Sequence, residues 1–445
     1  MRATTFAIPV VLAVAVVAGC CGKKNDHSPV ADPPDSPTAA ARMVSVSRYQ
    51  SSTLTDADAD RILAEANDVL DEINGSGDEQ CVIGFQRSGP VATFTTGDGE
   101  IDSHAEFNAI VALPGNMKVV NGIYVCGTRS DGLPNTGVFL GCAPAPGNSL
   151  VVVRMDDTSD RQEGILWAHE YGHNRGLHHR NPDDNEVMNA YITSAHTYVN
   201  GAEKLAYEDS QAAQGGAGQA AAAAPATAPA TAPAPGAAAG DVKAFVRRRY
   251  IEGIPLHEAS TFGPAVVPEL ITMLDDPADA PWRANIVKLL GIIGDPRAVD
   301  PLIKVIEDGQ GVLKPSEYGA KKTAIVSLGD VIRKSQNPND PAVLKANDYL
   351  ARGLDPAIWS QRVQWEGPFI KDVNQRNWQL TKSAIWGLAS TGKAEAGQAL
   401  EALEAKLPKM GEVPPDLRGI LKEAKTALNA VRAGGVKPDA APHHE

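Results

Sequence analysis

In the first half of the chain, apolar residues at helical spacing are followed by short runs of strand-forming composition. Large apolar residues recur at helical spacing over residues 62–73, and Thr55 and Asp58 have the spacing of a helix cap, so a helix is predicted. Ser159 and Gln162 predict the start of a second helix in the same way. Short runs of strand-forming composition lie between the two, at 81–86, 105–113, 118–127, 137–143 and 150–155. This order predicts an α/β layer of about 160 residues.

The second half of the chain, from residue 241, has the helical period alone and repeats itself. Residues 286–307 and 384–405 align without a gap, with Gly294 matching Gly392, and a third copy begins at 325. Paired helices joined by tight turns give such spacing. The run GDPRAVDPLI resembles HEAT-like repeats, and the resemblance implies an all-α array over 241–433 that offers an extended surface to a protein partner.

Two stretches lack the apolar residues that a packed core needs. Residues 22–41 are rich in Lys, Asp, Ser, Pro and Ala, and residues 211–240 are rich in Ala, Pro and Gly, which is typical of an extended spacer. We therefore divide the chain into a signal segment at 1–19, a disordered tether at 20–44, an α/β domain at 45–208, a linker at 209–240, a helical-repeat domain at 241–433 and a disordered tail at 434–445.

The N-terminus predicts export. Arg2 precedes an apolar run at 6–18 that is short for a membrane span and is typical of a signal peptide. The following residues, Val17-Ala18-Gly19-Cys20, resemble a bacterial lipobox, which implies acylation of Cys20 and a lipid anchor in the cell envelope. Cys21 in the next position favours the outer membrane if the host is Gram-negative. An ordinary signal peptide remains the alternative.

The net charge of the chain limits the classes of partner that it can bind. The chain has 41 basic and 54 acidic residues, a formal net charge of -13, which disfavours a nucleic-acid partner because phosphate binding needs a positive field.

Export would permit disulfides among the three later cysteines. Cys126 and Cys142 lie in strand-like runs joined by a turn-rich loop, so we predict that they pair and leave Cys81 over. Three buried thiols are the alternative.

Four of the ten histidines fall in the run HEYGHNRGLHH at 169–179. His169 and His173 are four residues apart on one helix face, and Gly176 can turn the chain so that His179 approaches as a third ligand. We predict a zinc ion on these three imidazoles, with the fourth position left to water as in catalytic sites. Glu170 is predicted as the general base that accepts a proton from this water. His178, one place out of register, competes with His179.

The pattern HExxHxxGxxH resembles the metzincin metalloproteases over roughly residues 45–207, and the subfamily stays open. The resemblance implies a methionine turn at 185–189, with Met188 beneath the metal as an apolar floor. It also implies that the strand at 137–143 borders the cleft and pairs with an extended substrate. The predicted fold is therefore multidomain, an α/β metzincin-like catalytic domain followed by an all-α HEAT-like repeat domain.

The predicted function is a zinc-dependent endopeptidase that acts on protein or peptide substrates outside the cytoplasm. Two other classes stay open at this point. One is a binding lipoprotein in which the repeats carry the function. The other is a zinc hydrolase of a non-peptide bond, because the same metal chemistry serves other carbonyl compounds.

Overall fold

The computed structural model describes residues 40–74, 77–129, 131–155, 158–180, 185–209, 241–370 and 372–433. The predicted signal segment with Cys20, the spacer at 211–240 and the tail at 434–445 lie outside these residues, and the structure does not test them. The described strands are β1 (Ala40–Val44), β2 (Val46–Tyr49), β3 (Ile83–Arg87), β4 (Ala92–Phe94), β5 (Glu100–Ile101), β6 (Met117–Val120), β7 (Gly122–Thr128), β8 (Pro134–Phe139), β9 (Gly141–Cys142), β10 (Leu150–Val153), β11 (Gln310–Val312) and β12 (Gln364–Glu366).

The described helices of the first half are α1 (Asp56–Asp71), α2 (His104–Val111), α3 (Asp160–Asn174) and α4 (Gly201–Glu208). Those of the second half are α5 (Val242–Val246), α6 (Leu256–Ala259), α7 (Val267–Asp275), α8 (Arg283–Ile293), α9 (Val299–Glu307), α10 (Pro315–Lys334), α11 (Pro341–Arg352), α12 (Pro356–Arg362), α13 (Val373–Ser390), α14 (Ala394–Lys406) and α15 (Leu417–Arg432). Short 3-10 turns lie at Pro264–Val266, Pro277–Trp282, Pro296–Ala298 and Leu407–Lys409. None of the helices in the described part of the chain is long and apolar enough to cross a membrane.

The first half is a mixed α/β layer. Its main sheet has the order β4-β2-β6-β10-β9, in which the pairs are parallel except for β10 with β9, so that β9 is an antiparallel edge strand. A second sheet has the order β5-β7-β8, and β1 pairs with β3 in parallel. Helices α1 and α3 bury their apolar residues in one core with β6 and β10. The metal motif on α3 therefore lies on a helix that is packed against the sheet.

The two predicted helices of this layer are confirmed, together with their caps. The Thr55 side chain accepts a hydrogen bond from the Asp58 N–H, while the Asp58 side chain accepts one from the Thr55 N–H. This capping box satisfies two N–H groups that the helix itself leaves unpaired. Ser159 caps α3 through the Gln162 N–H.

Four predictions in this half are wrong at the level of single elements. Residues 105–113, predicted as a strand, form α2, because Ser103 accepts a hydrogen bond from the Glu106 N–H and starts a helix there. The run 118–127 is two strands, since the Asn121 N–H donates to the Gly99 carbonyl and the chain changes sheet. The run 137–143 also divides between two sheets, with the end of β8 in one and β9 in the other. The end of the predicted tether is ordered, because Ala40–Val44 pairs with Ile83–Arg87.

The second half is a helical array whose repeats agree with the sequence alignment. The aligned segments coincide with the pairs α8–α9 and α13–α14. Gly294 and Gly392, the matched glycines, both have positive φ, of 76° and 68°, and end the first helix of each pair. Helices α10 and α13 approach so closely that a Cβ atom on Gly329 would lie 1.8 Å from the carbonyl oxygen of Gly387. Glycine is required at that crossing.

Buried charges join the array to the α/β layer. The Lys322 ammonium on α10 contacts Glu100 at 2.7 Å and Asp102 at 2.8 Å, and Lys382 on α13 contacts Asp98 at 2.8 Å. Both lysines are almost completely buried. The described residues on the two sides of the predicted linker therefore pack together, and the described residues between 40 and 433 belong to one compact unit.

Candidate metal centre

Three imidazole groups converge at the C-terminal end of α3. The Nε2 atom of His169 lies 3.0 Å from that of His173 and 3.2 Å from that of His179. His169 and His173 meet because they are one helical turn apart on α3. His169 is fully buried and His173 nearly so. The structure thus brings together the three histidines that the sequence selects.

The return of the chain to the third histidine depends on a glycine. Gly176 has φ of 83°, in the left-handed region that the sequence analysis predicts for it. Its N–H donates to the His173 carbonyl, and the Leu177 N–H donates to the Gly172 carbonyl, which closes the helix. Two residues later His179 faces the first two imidazoles. His178 lies outside the group of potential ligands.

Hydrogen bonds fix which nitrogen of each ring faces the centre. The Nδ1 atom of His169 lies 2.8 Å from the carbonyl oxygen of Val187, and that of His173 lies 2.8 Å from the carbonyl oxygen of Leu177. A carbonyl only accepts, so each Nδ1 carries a proton and each Nε2 of the neutral ring presents a lone pair. Burial lowers the pKa of both imidazoles, that of His173 to about 4. The neutral, metal-binding form is therefore favoured.

The methionine predicted as a floor lies against the ligand helix. Met188 is completely buried, and a Cβ atom on Gly172 would lie 2.4 Å from its sulfur. The Tyr207 hydroxyl donates to the same sulfur at 3.3 Å. Because Val187, the preceding residue, accepts the hydrogen bond of His169, this turn also supports the first imidazole.

Glu170, the predicted general base, is completely buried beside His169, and neither of its carboxylate oxygens has a hydrogen-bond partner among the described residues. It packs against the edge strand β9, where a Cβ atom on Gly141 would lie 2.1 Å from Oε1. Burial raises the pKa of Glu170 well above its usual range, and the negative charge of Glu252 raises it further. A bound cation would oppose this shift.

Glu252 is a residue of the centre that the sequence analysis missed. Its Oε1 atom lies 3.6 Å from Nε2 of His173, and its Oε2 atom lies 3.5 Å from Nε2 of His179. A water was predicted in the fourth position, whereas a carboxylate lies beside two of the three imidazoles in the structure. Glu252 follows the predicted linker and has no spacing relation to the histidine motif, so no local signal indicates it.

A second acidic group lies at the boundary with the array. Asp98, Asp102 and Glu106 are close enough to share an ion. The ammonium groups of Lys322 and Lys382 already contact two of these carboxylates, so the local charge is compensated by lysine. We assign no metal there.

The described cysteines are arranged as follows. Cys126 and Cys142 form a disulfide that links β7 to β9, the edge strand beside Glu170. Cys81 is a buried free thiol, and burial raises its pKa to about 12. Cys20, the predicted site of acylation, lies outside the described residues.

Comparisons with known proteins give matches of limited extent. The family model of the PBS lyase HEAT-like repeat matches residues 282–308, which contain α8 and α9, and confirms the predicted HEAT-like character of the array. The chain is also similar to the bilin biosynthesis protein PecE of Mastigocladus laminosus, with 26% identity over 147 residues. That alignment covers 33% of this chain and 52% of the relative, so the chain spans about half the length of the protein it matches. No solved structure matches the chain.

These matches correct the predicted function. They connect the chain with a lyase-type repeat and with a bilin biosynthesis protein, and they contradict the prediction of a zinc endopeptidase. The metalloprotease and lipoprotein descriptions conflict with the same similarity, and a cleaved protein substrate and a lipid anchor have no support in it. The coarser fold prediction holds, a mixed α/β region followed by a helical half with a HEAT-like repeat.

Proposed function

We propose that this protein binds one zinc ion through His169, His173 and His179. We also propose that a cleft on its helical array binds a bilin. The observation that carries the first part is the convergence of three Nε2 atoms whose opposite ring nitrogens, at His169 and His173, are held by backbone carbonyls. Lone pairs directed at one point repel each other unless a cation or a proton lies between them. A buried cation relieves this repulsion.

The spacing of the donor atoms fits zinc. Tetrahedral ligands with zinc–nitrogen bonds of 2.0–2.1 Å lie roughly 3.3 Å from each other. The distances of 3.0 and 3.2 Å between the imidazole nitrogens are close to this value. The resemblance of the histidine run and of the turn at Met188 to the metzincin pattern also supports the metal assignment.

The residues around the proposed zinc ion have different roles. The carbonyls of Val187 and Leu177 orient two imidazoles, and Met188 excludes water from below. Glu170 holds a buried carboxyl next to the centre and can retain a proton there, because burial disfavours its charged form. When bound, zinc supplies positive charge that polarises an oxygen ligand.

The test is metal analysis of the purified full-length chain and two neighbouring variants. We expect one zinc per chain in the wild type, a loss of zinc affinity of a hundredfold or more in His179→Ala, and no change in His178→Ala. Removal of zinc by a chelator should also lower the melting temperature, since an ion that binds only the folded state stabilises it. A chain that contains no zinc after purification and takes up none when zinc is added would refute the proposal.

A second proposal concerns the array and rests on the matched repeat. A cleft of about 550 Å³ lies on helices α7 to α10, within the range of small-molecule sites. Its walls combine apolar side chains with cationic and acidic ones, namely Ile271, Leu274, Val305, Arg283, Lys304, Lys321, Asp275, Asp300, Asp308 and Glu317. We propose that this cleft binds a bilin, because a linear tetrapyrrole combines apolar rings with carboxylates that attract cations and with pyrrole N–H groups that donate to carboxylates, and because the relative is named for bilin biosynthesis.

Titration with biliverdin, followed by its visible absorption, tests this second proposal. Lys304→Glu should weaken binding about tenfold, because it places a negative charge at the edge of the cleft. Lys425→Glu on α15, which lies outside the cleft, is the matched control. Equal binding by both variants, or no saturable change in absorption, would exclude the cleft as a bilin site.

A further inference from the structure

The segment 249–253 follows the predicted linker in the sequence but is built into the α/β layer. The Ile251 side chain is completely buried in the core that α1 and α3 share with the sheet. Its N–H donates to the Ala190 carbonyl at 3.0 Å, and its carbonyl accepts from the Leu140 N–H at 2.8 Å. The Ile192 N–H donates to the Arg249 carbonyl at 2.8 Å. The segment is thus held by backbone hydrogen bonds on both sides.

This pairing sets the position of the next residue, Glu252. Its two carboxylate oxygens face two different imidazoles, with distances of 3.6 Å to His173 and 3.5 Å to His179. These are close to the separation of roughly 3.3 Å expected between two ligands of one tetrahedral zinc ion. The Glu252 side chain is only 12% exposed, so an ion at this point would have little access to solvent on that side.

Gly253, the next residue, restricts the backbone on the C-terminal side of Glu252. Its φ is 78°, and a Cβ atom there would lie 3.1 Å from the Phe139 ring. Since Ile251 is buried on one side and Gly253 makes a constrained turn on the other, moving the backbone of Glu252 away requires the unpairing of residues 249–251.

We infer that Glu252 is the fourth ligand of the metal site, which then consists of three imidazoles and one carboxylate. This inference rests on the proposed zinc site. Four protein ligands leave no position for exchangeable water, and that is the arrangement of structural zinc. The ion would then connect α3 with a segment that follows the linker, so metal binding would hold the two together.

Two measurements on the full-length chain test the role of Glu252. The first is zinc affinity, by competition with a chromophoric chelator, for Glu252→Gln and for Glu258→Gln. Glu258 is a carboxylate six positions further along, on α6, where it pairs with Arg248 at 3.6 Å. We expect a tenfold or greater loss of affinity for Glu252→Gln alone. The glutamine keeps the size of the side chain, and thermal unfolding of the metal-free variants checks that both fold.

The second measurement is the visible spectrum of the cobalt-substituted protein with added azide. Azide should leave the wild-type spectrum unchanged, because no coordination position is open, and should change the spectrum of Glu252→Ala. Wild-type cobalt protein that binds azide, together with unchanged zinc affinity in Glu252→Gln, would overturn the fourth ligand while the three-histidine site stands. A wild-type chain without any metal affinity would overturn both proposals.

Discussion

The ammonium nitrogen of Lys322 lies 2.7 Å from a carboxylate oxygen of Glu100, and both side chains are buried although one belongs to α10 and the other to β5. Each charge depends on the other for compensation, because burial removes both side chains from bulk solvent. The array and the α/β layer are therefore coupled through this pair and its neighbours Asp102 and Lys382.

Lys322→Ala should destabilise the whole unit, because it leaves buried carboxylates without their cation. Removal of one partner of a buried pair costs about 3–5 kcal/mol. Chemical denaturation of the variant measures this loss. Lys345→Ala is the control, since Lys345 forms an exposed pair with Asp300 and its removal should cost less than about 1 kcal/mol. Similar losses for both variants would show that the buried network is not stabilising.

Gly329→Ala should lower the free energy of unfolding by about 1–3 kcal/mol, because the new methyl group would overlap the Gly387 carbonyl and force α10 away from α13. Gly419→Ala on α15 is the matched control. A Cβ atom there meets nothing within 4 Å, and the higher helix propensity of alanine should stabilise the chain by up to about 1 kcal/mol. Stabilisation by both changes would contradict the close crossing of the helices.

Asp330 should contribute stability that is lost in acid. Burial alone would raise the pKa of Asp330, but Arg129, Lys288 and Arg333 outweigh it and lower the pKa to about 2. A carboxyl whose folded pKa lies below its unfolded value of about 3.9 contributes its full stabilisation above that value. The contribution, roughly 2–3 kcal/mol, is lost as the pH falls towards 2.

Denaturation of the wild type and Asp330→Asn between pH 7 and pH 2 tests this sign. The stability difference between the two should be large at pH 7 and should shrink below about pH 4. Asp348→Asn changes a carboxylate that is 67% exposed, and it should show a small difference across the range. A difference for Asp330→Asn that grows in acid would reverse the assignment.

Cys81 should resist alkylation while the protein is folded. Its thiol is completely buried, and a pKa of about 12 leaves very little thiolate at pH 8. Iodoacetamide treatment followed by peptide mass spectrometry should find this cysteine unmodified in buffer and modified in urea. Rapid modification of the folded protein would show that the core around Cys81 opens readily.

Local patterns in the sequence predicted the elements whose signals are local. The caps at Thr55 and Ser159 are short-range hydrogen bonds, and the first helix of two repeats ends at the predicted glycines Gly294 and Gly392. The strand predicted at 105–113 failed because its apolar composition suits a strand and a short buried helix equally, and the cap at Ser103 decides between them.

Some residues of the candidate site are also indicated by a local sequence pattern, and one is not. His169, His173 and His179 lie within eleven residues, and helix geometry with one glycine turn is enough to bring them together. Glu252 reaches the centre because its neighbour Ile251 pairs through its backbone with Leu140 and Ala190, which are distant in the sequence. Composition and periodicity do not predict a pairing between such distant residues, so only the structure shows it.

The burial of Ile251 among the residues of the first half has a consequence for how this protein can be cut and recombined. Gene fusion or domain exchange in the spacer at 211–240 would move Ile251 and Glu252 along with the array. The recipient would gain an unmatched strand-like segment, and the donor would lose a core side chain. A junction in the spacer therefore divides the core of the first half, and a junction after Gly253 would still separate Glu100 from Lys322.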